Sequence, residues 1–433
     1  MDIHRAIVTF LAVVFAGLWN TSAFAQAFND FELEPHNYYE RTAEDGMSRL
    51  IASWREGKHD FGSETGLVAL QKLLTDLDVP VSSQVIVFSK TSLQRDLVSP
   101  ENPRAMYFNE DIHVAWMPGG KIEVNSFDAG TGGMFYFEVQ PKNPGDRVGF
   151  EQPRSCFGCH GGSATNFLPG PLARSNFTDA TGRRLRGVRS HNRIGHSIPF
   201  AERWGGYFVT NAPPTLEHMG NSFAVRAGRE ISIPESGKRS TTDLSEFFDV
   251  EKLLRPDSNI LPLMLFDHQI ELHNLLVEAL YRHRTEEYNA EQNGGVPRKD
   301  LAKKTDSHFD KLVRYFLFAD EPSLAGHEFD PAPDFVSDFH RNQRTDSAGQ
   351  SLKDLDLKTR IFKNRCSYMI YSRSFEEAPQ SMKDRVYDRL WDILSPEEAP
   401  DEYAYLDSDE RRRILDILKA TKSDLPESWK AAE

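Results

Sequence analysis

Cys156-Phe157-Gly158-Cys159-His160 places two thiols and an imidazole at a spacing with a specific chemical use. Thiols three positions apart can reach two neighbouring groups on one edge of a planar ring, and the residue that follows lies beneath the ring's centre. This is the C-x-x-C-H pattern of covalent haem attachment. The thiols add across the porphyrin vinyl groups, and the imidazole becomes an axial ligand of the iron. The expectation is haem c held through Cys156 and Cys159, with His160 as the proximal iron ligand. Three other readings compete with it. A redox C-x-x-C pair belongs at a helix start in a βαβ setting, and the flanks Gln152-Pro153-Arg154 and Gly161-Gly162 do not supply one. A zinc site needs further ligands, and the only other cysteine, Cys366, is far along the chain. The third is coincidence.

A second axial ligand would set potential and reactivity. Methionine raises the potential, a second histidine lowers it, and an open position permits catalysis or gas binding. The candidates are His191, His196, His218, Met219 and His268. His196 ranks first and His268 second, ahead of Met219 and an open site. His268 and His273 fall on one predicted helix about 140° apart, so at most one of them faces a haem. Arg183, Arg184, Arg186 and Arg189 form a basic run in an acidic chain. Guanidinium forks pair with carboxylates such as haem propionates; a solvated loop or a docking patch for an acidic partner is the plainer reading. Glu202-Arg203-Trp204-Gly205-Gly206-Tyr207 suggests a buried ion pair with aromatic packing, against porphyrin or simply within the core. Cys366 reads as a buried free thiol.

The elements that must position these residues change character along the chain. A helix is predicted over Glu64–Leu77, capped by Ser63 and stopped by Pro80. An amphipathic turn around Met47–Trp54 precedes it. Strands are predicted over 85–88, 105–108, 112–117, 121–127 and 134–139, with Pro118-Gly119-Gly120 as a hairpin turn. Residues 140–222 lack periodicity, apart from a short strand over 207–210. Such long irregular segments are usually functional or disordered, and this one holds the motif. Helices follow over 261–281, 306–318, 382–394 and 409–421, with a polar linker over 320–351. The expected class is α+β: an N-terminal helix and antiparallel β-meander, an irregular haem-binding segment, and a helical C-terminal part. The boundaries are 26–145, 146–240 and 241–433, and the haem is clasped between the first and last of these. This is not a small all-α cytochrome.

Residues 1–25 read as a signal peptide. Arg5 precedes an apolar run from Ala6 to Trp19, and Ala23-Phe24-Ala25 provides a cleavage site before Gln26. The run is shorter than the roughly 20 residues that span a bilayer. A periplasmic or otherwise exported protein is expected, with no membrane insertion after cleavage. Three cysteines is an odd number for a disulfide framework, and the oddness disappears if haem consumes two. A net charge of −14 argues against nucleic acid as a partner.

Further stretches carry a resemblance: Ser99-Pro100-Glu101-Asn102-Pro103-Arg104-Ala105-Met106-Tyr107-Phe108-Asn109 before the motif, and Ile198 to Gly206, His218-Met219-Gly220-Asn221, His268-Gln269 and Cys366 to Ser372 after it. Over roughly residues 65–420 the chain resembles a family of exported bacterial proteins described as cytochrome c domain-containing. The resemblance implies covalent haem, iron and an exported location, and carries over Cys156, Cys159 and His160 alone as functional residues. The function expected is single-electron transfer through the haem iron to a redox partner protein. The alternative is a haem enzyme of peroxidase type, or a gas or redox sensor, with an open or displaceable sixth position. His196 and Arg203 would then be the acid–base pair for peroxide cleavage.

Overall fold

β1 (Val85–Val87), β2 (Arg104–Phe108), β3 (Ile112–Trp116), β4 (Glu123–Asp128) and β5 (Gly132–Val139) form an antiparallel meander. β6 (Gly149–Glu151) pairs with β5 at one edge, and β7 (Tyr207–Phe208) pairs with β1 at the other. The resulting seven-stranded sheet has the order β6-β5-β4-β3-β2-β1-β7. The protein is α+β, as expected. The structure, a computed structural model, describes residues 28–58, 61–140, 143, 147–185, 194–228, 230–232 and 241–430. The expected signal peptide, Arg186, Arg189 and His191 lie outside the described residues. Among those described, no helix is long and apolar enough to cross a membrane.

Side chains alternate across a strand, so each strand serves two environments. Ile112, Val114 and Trp116 of β3, Val124 of β4, and Met134 and Tyr136 of β5 enter one apolar core. Two helices cover that face, α1 (Gly46–Arg55) and α2 (Gly66–Asp76), through Met47, Leu50, Leu70, Leu73 and Leu74. Each fully buried leucine contributes about 1.5–3 kcal/mol relative to exposure. α2 starts at Gly66, with Thr65 rather than Ser63 at its N-cap and no side-chain bond there. Asp45 caps α1: its Oδ1 accepts from the amides of Met47 and Ser48 at 2.9 and 3.2 Å, and its Oδ2 accepts from Tyr136 Oη at 2.6 Å. That bond ties α1 to β5. The Pro118-Gly119-Gly120 turn is as expected, with Gly119 at φ +76° where a side chain would be strained.

The other face of the sheet receives the irregular segment and the long helix. After β6 the chain makes a short helical turn, α3 (Phe157–His160), crosses the sheet face irregularly, and returns to the sheet as β7. Two strands of the sheet thus come from the segment expected to stand apart, so the boundary near 145 does not divide the sheet. α4 (Ile260–Gln292) extends well beyond the predicted 261–281. It is buried nearly all round through its first five turns, the pattern of a helix inside a core. Asn259 caps it, accepting from Leu261 N. α5 (Lys299–Phe316) packs against it. The linker contains α6 (Pro333–His340), and α7 (Gln380–Leu394) and α8 (Ser408–Thr421) follow as expected.

α4 and α5 are joined by a buried ionic contact. Glu278 Oε1 lies 2.7 Å from Arg282 Nη2 and 3.3 Å from His308 Nδ1. Burial works against its charge, yet His308 and Arg282 together hold its carboxyl well below the ordinary range. A carboxylate with a depressed folded pKa adds stability above its unfolded pKa, near 4.5 here, and that contribution is lost as pH falls towards the folded value. Glu278→Gln should therefore lower stability by about 1–3 kcal/mol at neutral pH, read by urea denaturation. The gap to wild type should narrow as pH drops below the ordinary glutamate pKa. A gap independent of pH would assign the loss to packing instead.

Candidate functional site

Cys156 closes a 3-10 turn over Arg154–Cys156 that runs directly into α3. In this near-helical run Cys156, Cys159 and His160 are related as i, i+3 and i+4, which places them on one face. All three line a single open cleft. Phe157 faces elsewhere. Its ring stacks on Phe31 at 5.1 Å and meets Tyr38 and Phe135 edge-on at 5.2 and 5.5 Å. This aromatic cluster anchors the turn and presents the thiols and imidazole to the cleft.

His160 is clamped twice to Gly170. The His160 carbonyl accepts from Gly170 N at 3.0 Å, and its ring Nδ1 lies 3.0 Å from Gly170 O. A carbonyl only accepts, so Nδ1 carries the proton and Nε2 keeps a lone pair. This is the tautomer and the outer hydrogen bond that orient a metal-binding histidine. Phe135 packs on the ring with centroids 4.2 Å apart. Burial pulls the pKa of His160 down to about 4, leaving the imidazole neutral. His160 is half-buried and lines the cleft.

The Cys156 thiol is pushed up to about 11, first by burial and then by Glu123 and Cys159. A disulfide-exchange nucleophile needs the opposite shift. Neither cysteine of the motif is in a disulfide. Among the described residues no group of three or more His, Cys, Asp or Glu converges to hold a bare metal ion. The motif's three donors are spread along one wall, as attachment to a ring edge and its centre requires.

The sheet supplies the floor through Met106, His113, Ala115, Asn125, Phe135 and Phe137, and α4 supplies Phe266 and Ile270. Arg104, Glu123 and Arg174 bring charge to it. Arg104 Nη1 lies 3.3 Å from Glu123 Oε2, while the Nε atoms of Arg104 and Arg174 are buried without hydrogen-bond partners. The motif thus faces a cleft lined by both the sheet and α4. The basic groups of the cleft are Arg104 and Arg174, whereas Arg183 and Arg184 are exposed and do not line it.

The histidines expected near the iron are brought together with each other instead. His196 and His268 are fully buried, with their Nδ1 atoms 2.8 Å apart. His268 Nε2 lies 2.6 Å from Ser367 Oγ, and His196 Nε2 lies 3.3 Å from Ala319 O. All four nitrogens are engaged, and neither ring lines the cleft. The reason lies in helix geometry: Phe266 and Ile270 face the cleft, and His268, about 200° from each, faces away. His218 Nδ1 accepts from Gly220 N, and Met219 packs near Ser175 Oγ. Arg203 does lie beside His196, donating to its carbonyl, and pairs with Asp267 at 3.8 Å, but this cluster sits in the helical core. Trp204 Nε1 also donates to Asp267, at 2.9 Å. The plainer reading of that stretch, core packing, is the one observed. Cys366 is a buried free thiol, its pKa raised to about 12 by burial.

A second, larger cavity lies around Glu110, Lys353 and Arg344. Several of its charges are paired with one another, Lys353 with Glu110 at 2.5 Å, Arg344 with Glu376 at 2.6 Å and Arg341 with Asp78 at 2.9 Å. The thiols, His113 and the unpartnered Nε atoms of Arg104 and Arg174 belong to the smaller cleft. No family model, curated protein or solved structure matches the chain.

Gly170 has a second constraint. A Cβ there would stand 2.1 Å from Asn274 Oδ1. Asn274 is short, buried and held by Nδ2 bonds to Pro171 O and Ile270 O, so it cannot swing aside. Gly170→Ala should therefore lower stability by about 1–3 kcal/mol through overpacking. Adding Asn274→Ala should make the double variant less unstable than the sum of the single effects. Strictly additive losses in denaturation curves would remove the clash as the cause.

Proposed function

We propose that this cleft holds one haem c, and that the protein transfers single electrons through it as an exported cytochrome of the cytochrome c domain-containing kind. The observation that carries the reading is the shared orientation of Cys156, Cys159 and His160 into one cleft, with His160 Nδ1 held by Gly170 O and Nε2 left as a ligand. A haem there would supply a one-electron couple at its iron.

The chain's own groups divide the remaining work. Cys156 and Cys159 would each add S–H across a vinyl double bond, forming a thioether with no leaving group and no net oxidation. His160 would bind through Nε2, its ring fixed by Gly170 and by Phe135. Arg104 and Arg174 have donors suited to anionic carboxylates, and Glu123 holds Arg104 in place. Met106, Phe137, Phe266 and Ile270 would cover the ring faces and exclude water. Gly158, between the two thiols, is exposed. A haem held by these two thiols would have its attachment edge near the surface, where an electron could pass to a partner.

The test is expression of the full chain, with its N-terminus, in a host that matures c-type haem. The exported protein should be coloured and keep its haem in acid acetone, with a pyridine haemochrome typical of two thioethers. Cys159→Ala should leave a single thioether, or haem that acid acetone extracts. A colourless wild-type protein from that host would end the reading.

A further inference from the structure

Resting on the haem reading above, we propose that His113 is the second axial ligand, which would make the centre six-coordinate with two histidines. His113 was not among the candidates read from the sequence after the motif. It stands in β3 on the cleft face of the sheet, paired with Asn125 of β4, which is paired in turn with Phe135 of β5. Phe135 is the residue packed on His160. The two imidazoles line the same cleft and are close enough for His160 to disfavour the charged form of His113.

The second observation is what His113 lacks. It is 8% exposed, and neither ring nitrogen makes a hydrogen bond. Among the described buried histidines it is the one with both nitrogens unsatisfied. An unpaired buried polar group lowers stability by about 1–3 kcal/mol, so its retention needs a reason. Burial pulls the pKa of His113 down to about 4, and hydrogen bonding towards the side chains of Asn125 and Gln269 opposes that shift, although both contacts fall outside ordinary hydrogen-bond geometry.

The same two amides explain how a ligated ring would be held. Asn125 Nδ2 donates to Met134 O at 3.3 Å, and Gln269 Nε2 donates to Tyr368 Oη at 2.9 Å. Their oxygens, Asn125 Oδ1 and Gln269 Oε1, are buried and unpartnered. A neutral imidazole bound to iron through one nitrogen has a single N–H to donate from the other. Either amide oxygen would accept it, giving His113 the outer hydrogen bond that His160 receives from Gly170. Rings of Phe266, Phe127 and His273, at 5.5, 5.7 and 5.9 Å, surround it otherwise, and His273 is itself engaged, its Nε2 2.9 Å from Glu110 O.

Met106 is the other possible donor in the cleft. A buried thioether needs no partner, so its presence there calls for no ligand.

The experiment uses the exported holoprotein, its covalent haem first established by pyridine haemochrome. Reduced wild type should show a low-spin spectrum that carbon monoxide leaves unchanged. His113→Ala should keep the covalent haem, turn high-spin, and bind carbon monoxide stoichiometrically. Added imidazole should restore the low-spin spectrum. Met106→Leu, whatever it does to haem retention, should stay low-spin and inert to carbon monoxide. If His113→Ala does not accumulate, His113→Gln gives the same readout with less change of volume. Carbon monoxide binding by wild type, a low-spin carbon monoxide-inert His113 variant, or opening of the site by Met106→Leu would each overturn the assignment while the haem reading stands. Absence of covalent haem from wild type would overturn both.

Discussion

The cleft depends on the register of β3 against β4 and β5. His113, Asn125 and Phe135 form one row across three strands, spanning two strand spacings or about 10 Å. Val114, Val124 and Tyr136 form the next row, and that one points into the core beneath α1 and α2. A slip of one residue would exchange the two rows, burying the imidazole among leucines and turning valines to the cleft. The packed face prevents it. Tyr136 is tied to Asp45 at the start of α1, and Trp116 Nε1 donates to Gly120 O at 3.1 Å across the hairpin. Apolar packing on one side of the sheet thus decides which polar groups are available on the other.

α4 plays the matching part from above. Phe266, Ile270 and Asn274 recur every four residues along one stripe. The first two line the cleft, and the third holds the Pro171 carbonyl beside the Gly170 that fixes His160. Asp267 and His268 lie off this stripe and reach Trp204, Arg203, His196 and Ser367 in the helical core. The irregular segment is strapped between these faces because both its ends belong to the sheet, β6 at one edge and β7 at the other. Irregular backbone can cross a protein interior when its ends are fixed and its carbonyls find partners. Here Thr165 Oγ1, Ser175 Oγ and Asn274 Nδ2 provide several of those bonds.

Much of this was legible in the chain. The α+β class follows from alternation over 104–139 and helical periodicity after 260, and the motif's place between the two parts follows from chain order. The length of α4 was hidden because its last turns, Arg282 to Gln292, are almost wholly polar and carry no apolar stripe of the kind that marks an amphipathic helix. The partners of His196 and His268 were hidden for a different reason. Their meeting depends on how an irregular segment packs on a helix more than seventy positions away, and spacing carries no trace of that. His113 had a signal: in Ile112-His113-Val114-Ala115-Trp116 the apolar residues alternate with a histidine and an alanine, so the histidine must stand on the second face of a buried strand. Arg104 sits on the same face by the same alternation.

The protein contrasts two ways of treating buried polar groups. Ala319 O can only accept, so His196 Nε2 carries a proton, its Nδ1 accepts from His268 Nδ1, and His268 Nε2 accepts from Ser367 Oγ. One neutral tautomer chain satisfies every nitrogen, in keeping with burial that lowers both pKa values. In and beside the cleft several polar groups are left open. An imidazole has two open nitrogens, two amide oxygens beside it lack donors, and two guanidinium Nε atoms lack acceptors. A small organic acid would answer the guanidiniums and leave the imidazole unsatisfied. A bare metal ion would answer the imidazole and leave the arginines. A ligand with a metal centre and peripheral carboxylates answers both sets, and the two thiols on the same wall supply the means to attach it.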